Sequence, residues 1–279
     1  MAMPLVTHAT EEGGSENTVP DTQYHDLWEQ ERVLTKQLYA PDPYDRTDSA
    51  FVYAANTLVA DSECHYDKIL FLGDSLTMGV QSGTTDFSQN MPRFVSERIH
   101  VETVNAGVGG STISRDGYES MAKRYESLEV CDAIVIYGGV NDWLSYPNVD
   151  FGTYDRDWTF LGDLKLFYED VADDYDPEDV YIVIPANLVE VDVEQSLSVY
   201  VDLLPLSMYQ EAERRLAREH HFNIIDLGAE QLFDHNDPRS ADRFYADNVH
   251  LSSAGYEMLG VIISATIIRE DEQNEKGER

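Results

Sequence analysis

A serine, an aspartate and a histidine stand in this sequence where nucleophilic catalysis could use them. Ser75 follows an apolar run in Leu72-Gly73-Asp74-Ser75-Leu76, where the free N–H groups at the start of a helix would favour an anion. Asp247 precedes His250 by three residues, so a helical turn would let the carboxylate hold the imidazole in one tautomer. A histidine held in this way can act as the base that activates a serine hydroxyl. Taken alone, Asp74-Ser75 is equally a common helix cap.

Two further segments supply hydrogen-bond donors of the kind that stabilise an oxyanion. Gly107-Val108-Gly109-Gly110 places three glycines in four residues, which permits close backbone approach and leaves N–H groups free. Asn141, in Gly138-Gly139-Val140-Asn141-Asp142, can donate its side-chain amide into the same space. By itself each segment is also an ordinary turn. Together with the serine, histidine and aspartate, they meet the requirements of acyl transfer.

Five short apolar runs alternate with helical stretches from Lys68 onward, and most of these reactive residues directly follow a run. The runs are 69–72, 101–104, 133–137, 180–184 and 223–227, each with the composition of a buried parallel strand. Helices are predicted at about 91–99, 113–128, 160–174, 206–220 and 253–268. The alternation predicts a three-layer α/β/α sandwich with a mainly five-stranded parallel sheet, whose carboxyl edge would hold the ligand site.

The ends of the chain differ from this pattern. Residues 1–20 and 270–279 are polar and charged, and we expect two mobile tails. Residues 21–65 show helical periodicity before Pro41, so we expect a helical extension packed on a main domain of residues 66–269. The extension could also form a partner or substrate surface. Because residues 1–20 lack a basic patch followed by an apolar stretch, we expect a cytoplasmic protein.

Charge and composition disfavour several classes of partner and cofactor. The 19 Lys and Arg residues against 53 Asp and Glu residues give a net charge of −34, so neither nucleic acid nor an anionic membrane is an expected partner. The acidic surface fits either simple solubility or adaptation to high salt. Cys64 and Cys131 form no metal cluster or disulfide framework, and the histidines lack metal-ligand spacing. We therefore expect no metal or cofactor, which disfavours a metal-dependent phosphoesterase.

The four segments resemble the sequence blocks of the SGNH, or GDSL-like, hydrolase superfamily. The resemblance runs from about residue 68 to residue 269, with the blocks in the family's order, and it does not cover the extension before Lys68. It implies a flavodoxin-like α/β/α fold. It also implies that Ser75 is the nucleophile, His250 the general base and Asp247 its partner.

The resemblance further implies an oxyanion hole. Asn105, Gly110 and Thr112 match the family's Asn-x4-Gly-x-Thr pattern, so the Gly110 N–H is the implied donor and Gly107 the weaker candidate. The backbone N–H of Ser75 and the side chain of Asn141 would be the other donors.

These features predict a serine esterase acting on a small-molecule or carbohydrate ester, with short acyl groups such as O-acetyl favoured. An acyltransferase using the same site, a lipase or lysophospholipase acting on longer chains and, more remotely, a non-catalytic binding module are the alternatives. Candidate pocket residues are Asp74, Trp143, Tyr146 and Phe151, although turn stabilisation and loop packing are competing roles for them. The sequence does not distinguish a monomer from a homo-oligomer.

Overall fold

The predicted parallel sheet is present in the computed structural model, which describes residues 64–82, 84, 86–188, 203–229 and 233–276. Its strands are β1 (Lys68–Gly73), β2 (Glu102–Gly107), β3 (Ala133–Tyr137), β4 (Val180–Ile184) and β5 (Asn223–Asp226). They pair in parallel in the order β2-β1-β3-β4-β5. Strands β3 and β4 are buried along their whole length, which explains their continuous apolar sequences.

Helices flank this sheet and complete the predicted three-layer α/β/α sandwich. Helix α2 packs on the last helix, α8, while α5 packs against α3 and α6. Side-chain caps fix where several helices begin: Asn90 accepts from the Arg93 N–H before α2, and Thr159 accepts from the Gly162 N–H before α5. In chain order the helices are α1 (Ser75–Met78), α2 (Met91–Ile99), α3 (Met121–Tyr125), α4 (Val140–Leu144), α5 (Phe160–Asp174), α6 (Leu206–Glu219), α7 (Pro238–Phe244) and α8 (Ser253–Lys276).

The helix predicted at 113–128 is wrong over most of its length, because only Met121–Tyr125 is helical. Backbone N–H groups at the predicted helix start are bonded elsewhere. Asp142 accepts from the N–H groups of Ile113 and Ser114, at 2.8 and 2.9 Å. Asp163 accepts from the Arg115 N–H at 2.6 Å. These carboxylates come from α4 and α5, so tertiary contacts override the local helical pattern.

The last helix is longer than predicted. It continues from Ser253 to Lys276, past the expected end at Ile268 and into the segment expected to be a mobile tail. The Asp271 side chain is buried and accepts a hydrogen bond from the His65 backbone N–H at 2.8 Å, which ties this end of the helix to the start of the described chain. Among the described helices, none is long and apolar enough to cross a membrane.

The predicted tail at 1–20 and the predicted extension at 21–65, apart from its last two residues, lie outside the described residues. The domain boundaries expected for them therefore stay predictions.

Candidate active site

Ser75 lies at the junction of β1 and α1, at the carboxyl edge of the sheet. It is the first residue of α1, and the preceding Asp74 caps the helix by accepting from the Leu76 N–H at 2.8 Å. At the other end, Gly79 adopts a left-handed conformation with φ 96°. This short, capped turn holds the serine side chain where a strand gives way to a helix. As a result, Ser75 sits at the edge where parallel sheets bind ligands.

His250 and Asp247 lie on a loop between α7 and α8, which is not the helical turn that the spacing suggested. The loop is closed by an antiparallel bridge between Tyr245 and Leu251. Within it, one oxygen of Asp247 accepts from the backbone N–H groups of Val249 and His250, at 2.8 and 2.6 Å. A carboxylate that bonds the backbone of its own turn fixes the loop. Asp247 thus holds both the main chain and the side chain of His250.

The structure brings the three residues together as a hydrogen-bonded chain. His250 Nε2 lies 3.0 Å from the Ser75 hydroxyl, and His250 Nδ1 lies 2.9 Å from Asp247 Oδ2. With Nδ1 donating to the carboxylate, Nε2 is left free to accept the serine proton. The His250 side chain is 24% exposed, so a substrate can approach from solvent. This geometry suits nucleophilic attack by Ser75 on an acyl carbon.

The pKa of Asp247 keeps this carboxyl ionised. Partial burial raises its pKa, but hydrogen bonds from the His250 ring and from the backbone N–H groups of His250 and Val249 outweigh burial and lower the pKa to about 2. At neutral pH Asp247 is therefore a carboxylate that orients the imidazole.

Two candidate oxyanion donors are free of hydrogen bonds within the described residues. Neither the Ser75 N–H nor the Gly110 N–H has an acceptor within the described residues. Gly110 has φ 78°, a left-handed conformation that favours glycine. At the weaker candidate, Gly107, packing explains why the residue is a glycine, because a Cβ there would overlap the backbone nitrogen of Met78. These positions make Gly110 better suited than Gly107 to donate to an oxyanion.

The Asn141 side chain is close to the other site residues, but its donors are occupied. Its Nδ2 donates to Asp74 Oδ2 and to the backbone oxygen of Ser111, both at 3.1 Å. An amide nitrogen carries only two hydrogens. To donate to a substrate oxyanion, Asn141 must therefore share or give up one of these two hydrogen bonds. The sequence could not indicate that both donors are occupied.

The four candidate pocket residues lie in different surroundings. Asp74 is buried and serves as the helix cap described above. Trp143 is fully buried and donates its indole N–H to the backbone oxygen of Leu204 at 2.7 Å, so its ring does not face a substrate. Phe151 packs its ring on Phe160 and Tyr209. Tyr146 is the candidate that is neither buried nor committed to a ring contact within the described residues.

Arg124 is a supporting residue that sequence reasoning missed. Its guanidinium donates to the backbone oxygens of Ala106 and Gly73, at 2.7 and 3.0 Å, and to the Ser111 hydroxyl at 3.0 Å. One planar cation thus joins the ends of β2 and β1 to the loop after Gly110. No sequence signal marked this residue, because an arginine in a predicted helix is ordinary.

Three buried carboxyl groups lie behind the site. Burial raises the pKa of both Asp74 and Asp142 to about 7, against opposing hydrogen bonds from backbone N–H groups. Burial raises the pKa of Glu213 well above its usual range, and the charges of Asp142 and Asp226 add to this effect. Its Oε1 has no hydrogen-bond partner among the described atoms. Glu213 therefore holds its proton to a higher pH than an exposed glutamate does.

We expect Glu213→Gln to change how stability depends on pH. The unfolded chain releases this proton near pH 4.5, whereas the folded chain holds it to a much higher pH. Folded protein thus binds the extra proton over that interval, and wild-type stability falls as pH rises through it. The variant lacks this titration, so its melting temperature should rise relative to that of wild type as pH increases from 5 to 9, by about 2–4 °C for each kcal/mol of stability that wild type loses.

Glu211→Gln is the matched control, since Glu211 lies on the same helix with its side chain 65% exposed. A packing defect in the variant would lower its melting temperature equally at every pH. A difference between wild type and Glu213→Gln that stays constant from pH 5 to pH 9 would contradict the assignment.

Comparison with known proteins agrees with this architecture. The sequence profile described as the GDSL-like lipase/acylhydrolase family matches residues 71–258, more than half of the chain. The matched range begins within β1 and ends within α8, so it includes Ser75, Gly110, Asn141 and the Asp247–His250 loop. No curated protein sequence matches this chain.

Several solved structures share the fold. A protein from Lactobacillus plantarum is 21% identical with a TM-score of 0.62, over 72% of this chain and 95% of that chain. The lipase/acylhydrolase from Enterococcus faecalis is 22% identical with a TM-score of 0.52, over 72% and 95% of the two chains. Est24, a carbohydrate acetylesterase from Sinorhizobium meliloti, is 16% identical with a TM-score of 0.52, over 72% and 97%. At such identities the likeness establishes the fold alone.

Proposed function

This chain belongs to the GDSL-like lipase/acylhydrolase family, and on that premise we propose that it is a serine esterase that removes short acyl groups, in particular O-acetyl groups carried by carbohydrates. The observation that carries the proposal is the hydrogen-bonded chain from Ser75 through His250 to Asp247, with contacts of 3.0 and 2.9 Å. These two hydrogen bonds join a hydroxyl, a base and an ionised carboxylate at the edge of the sheet.

In the proposed mechanism, His250 Nε2 takes the Ser75 proton as the serine oxygen attacks the ester carbonyl carbon. The free N–H groups of Ser75 and Gly110 donate to the oxyanion that forms, and Asn141 joins them by sharing one of its bonds. His250 then gives its proton to the departing alcohol, leaving an acyl-serine. Water attacks this ester with His250 as the base and releases the acid. Asp247 stabilises the imidazolium in both halves.

The short acyl group is supported by the packing around the site. Trp143 and Phe151, two of the three aromatic pocket candidates, contact other core groups instead of forming an apolar acyl pocket. In the described part of the chain, a long acyl group would therefore gain little apolar contact from them. The carbohydrate part is suggested by Est24, which is named a carbohydrate acetylesterase. The net charge of −34 favours a neutral substrate over an anionic one.

A panel of esters tests the proposal. With p-nitrophenyl acetate, butyrate and octanoate, we expect kcat/KM to fall by at least about tenfold from acetate to octanoate. Acetate should also be released from xylose tetraacetate. A preference for octanoate would favour a lipase instead, and transfer of the acetyl group to added glycerol in place of water would favour an acyltransferase. No hydrolysis of any ester by the folded wild-type protein would contradict the esterase assignment.

A further inference from the structure

We propose that Tyr118 is a stacking platform for the sugar ring on the alcohol side of the ester. This inference deepens the proposed function and rests on it. Tyr118 is 64% exposed, the highest value among the exposed large hydrophobic residues described. Exposure alone does not imply a ligand, so the inference depends on where this ring lies.

The position of Tyr118 ties it to the candidate oxyanion hole. A Cβ built on Gly110 would lie 3.6 Å from Cδ1 of the Tyr118 ring, so the ring lies beside this glycine. The neighbouring Ser111 accepts, through its backbone oxygen, one of the two hydrogen bonds from Asn141. The Tyr118 ring therefore lies next to the residue whose N–H is the candidate oxyanion donor.

The backbone that carries Tyr118 is held firmly. The Tyr118 backbone oxygen accepts from the Thr112 N–H at 3.1 Å. The next residue, Glu119, has φ 43°, which is unfavourable for a residue with a side chain. Its backbone oxygen accepts from the Ser111 hydroxyl at 2.6 Å and from Arg124 Nε at 3.0 Å. The ring is thus presented from a strained segment that several side chains hold in place.

The two exposed aromatic residues near this segment differ in what covers them. Trp158 is 52% exposed, but Arg115 and Lys123 lie over its ring, at 5.2 and 4.9 Å from the centroid. No ring or cation of the described residues stacks on Tyr118. The face of Tyr118 is therefore available to a ligand, whereas Trp158 already has partners.

An open platform suits a sugar better than an acyl chain. A sugar ring lays its C–H groups on an aromatic face while its polar groups remain in water. An acyl chain on a single exposed ring would keep most of its surface hydrated and gain little. We therefore expect the sugar on the alcohol side of the ester, and not the acyl chain, to stack on the Tyr118 ring.

The test compares two acetate esters that differ in their alcohol, xylose tetraacetate and ethyl acetate. We expect Tyr118→Ala to lower kcat/KM for the sugar ester by about tenfold, mainly through KM, and to leave that for ethyl acetate within about twofold. Tyr118→Phe, which keeps the ring, should retain most of the sugar-ester activity. Trp158→Leu is the matched control and should leave the ratio between the two esters unchanged.

If the wild-type protein is active, three results would overturn the inference. Equal losses on both acetates would indicate general damage to the Gly110 loop, and no loss on either would show that the ring contacts no substrate. A selective loss on ethyl hexanoate would place the acyl chain on Tyr118. If the wild-type protein hydrolyses neither acetate, the proposed function itself fails and this inference fails with it. Activity on ethyl acetate that depends on Ser75 separates the two failures.

Discussion

Replacing Ser75 with alanine is expected to lower kcat for p-nitrophenyl acetate by about 10⁵–10⁶-fold. The Ser75 hydroxyl lies 3.0 Å from His250 Nε2, and the alanine variant leaves this base without a nucleophile to activate. Free N–H groups at Ser75 and Gly110 would still polarise a bound carbonyl, so a small residual rate above that in water is expected. Steady-state kinetics on the purified protein measure the loss.

Ser127→Ala is a suitable control, because Ser127 is exposed and its hydroxyl bonds the backbone oxygen of Arg124 in a turn. The control should keep wild-type activity, and both variants should melt within a few degrees of wild type. A fluorophosphonate probe should label the wild type and the control but not Ser75→Ala. Hydrolysis by Ser75→Ala at the wild-type rate would refute the assignment of the nucleophile.

Asp247→Asn is expected to lower kcat by about 10³–10⁴-fold while leaving the loop folded. An asparagine oxygen can still accept from the backbone N–H groups of Val249 and His250, as Asp247 Oδ1 does now. Its amide NH₂ would face His250 Nδ1, where the carboxylate lies at 2.9 Å. The imidazole would then carry its proton on Nε2 and could not accept the proton of Ser75. The loss should fall on kcat more than on KM.

The matched control is Asp234→Asn, since Asp234 also accepts from a nearby backbone N–H, that of Asn236 at 2.9 Å. This control should retain activity. If Asp247→Asn kept kcat within about tenfold of wild type, Asp247 would not be the residue that orients the base. Circular dichroism of the variant excludes loss of fold as the cause.

The low pKa of Asp247 also predicts how the stability of the protein depends on pH in acid. Its pKa in the folded chain is about 2, below the usual 3.8, so the stability that its hydrogen bonds contribute is complete above pH 4. That contribution is lost as pH falls toward 2. Asp247→Asn should therefore lose less stability than wild type over this acid interval, as thermal melts at several pH values can measure.

The order of the five strands and of the longer helices was readable in the sequence because it depends on local patterns. Strands β3 and β4 match the predicted apolar runs residue for residue, since buried parallel strands are continuously apolar. Helix α5 likewise has the predicted bounds, with Thr159 as its cap. The candidate residues Ser75, Gly110, Asn141, Asp247 and His250 were also named from the sequence, through its resemblance to the SGNH hydrolase blocks, and their catalytic roles stay predictions.

Contacts between distant segments were not readable in the same way. The segment after Gly110 has a helical pattern, yet Asp142 and Asp163 capture its backbone N–H groups. Trp143 was predicted to line the substrate pocket, but its indole N–H donates to the backbone oxygen of Leu204, in a different part of the chain. Each outcome depends on a partner that is far away in sequence, and no local period or spacing encodes such a partner.

By itself, the sequence determined the fold class, the family and the residues that could perform acyl transfer, because each follows from apolar periodicity or from short motifs. Only the tertiary structure decided that Ser75 and His250 lie 3.0 Å apart, although 175 residues separate them along the chain. It also decided that both donors of Asn141 are occupied and that the ring of Tyr118 lies open beside Gly110. The physical reason is that hydrogen bonds and exposure depend on distances in space. These distances are set only when the folded sheet brings the loops that follow its strands to one edge.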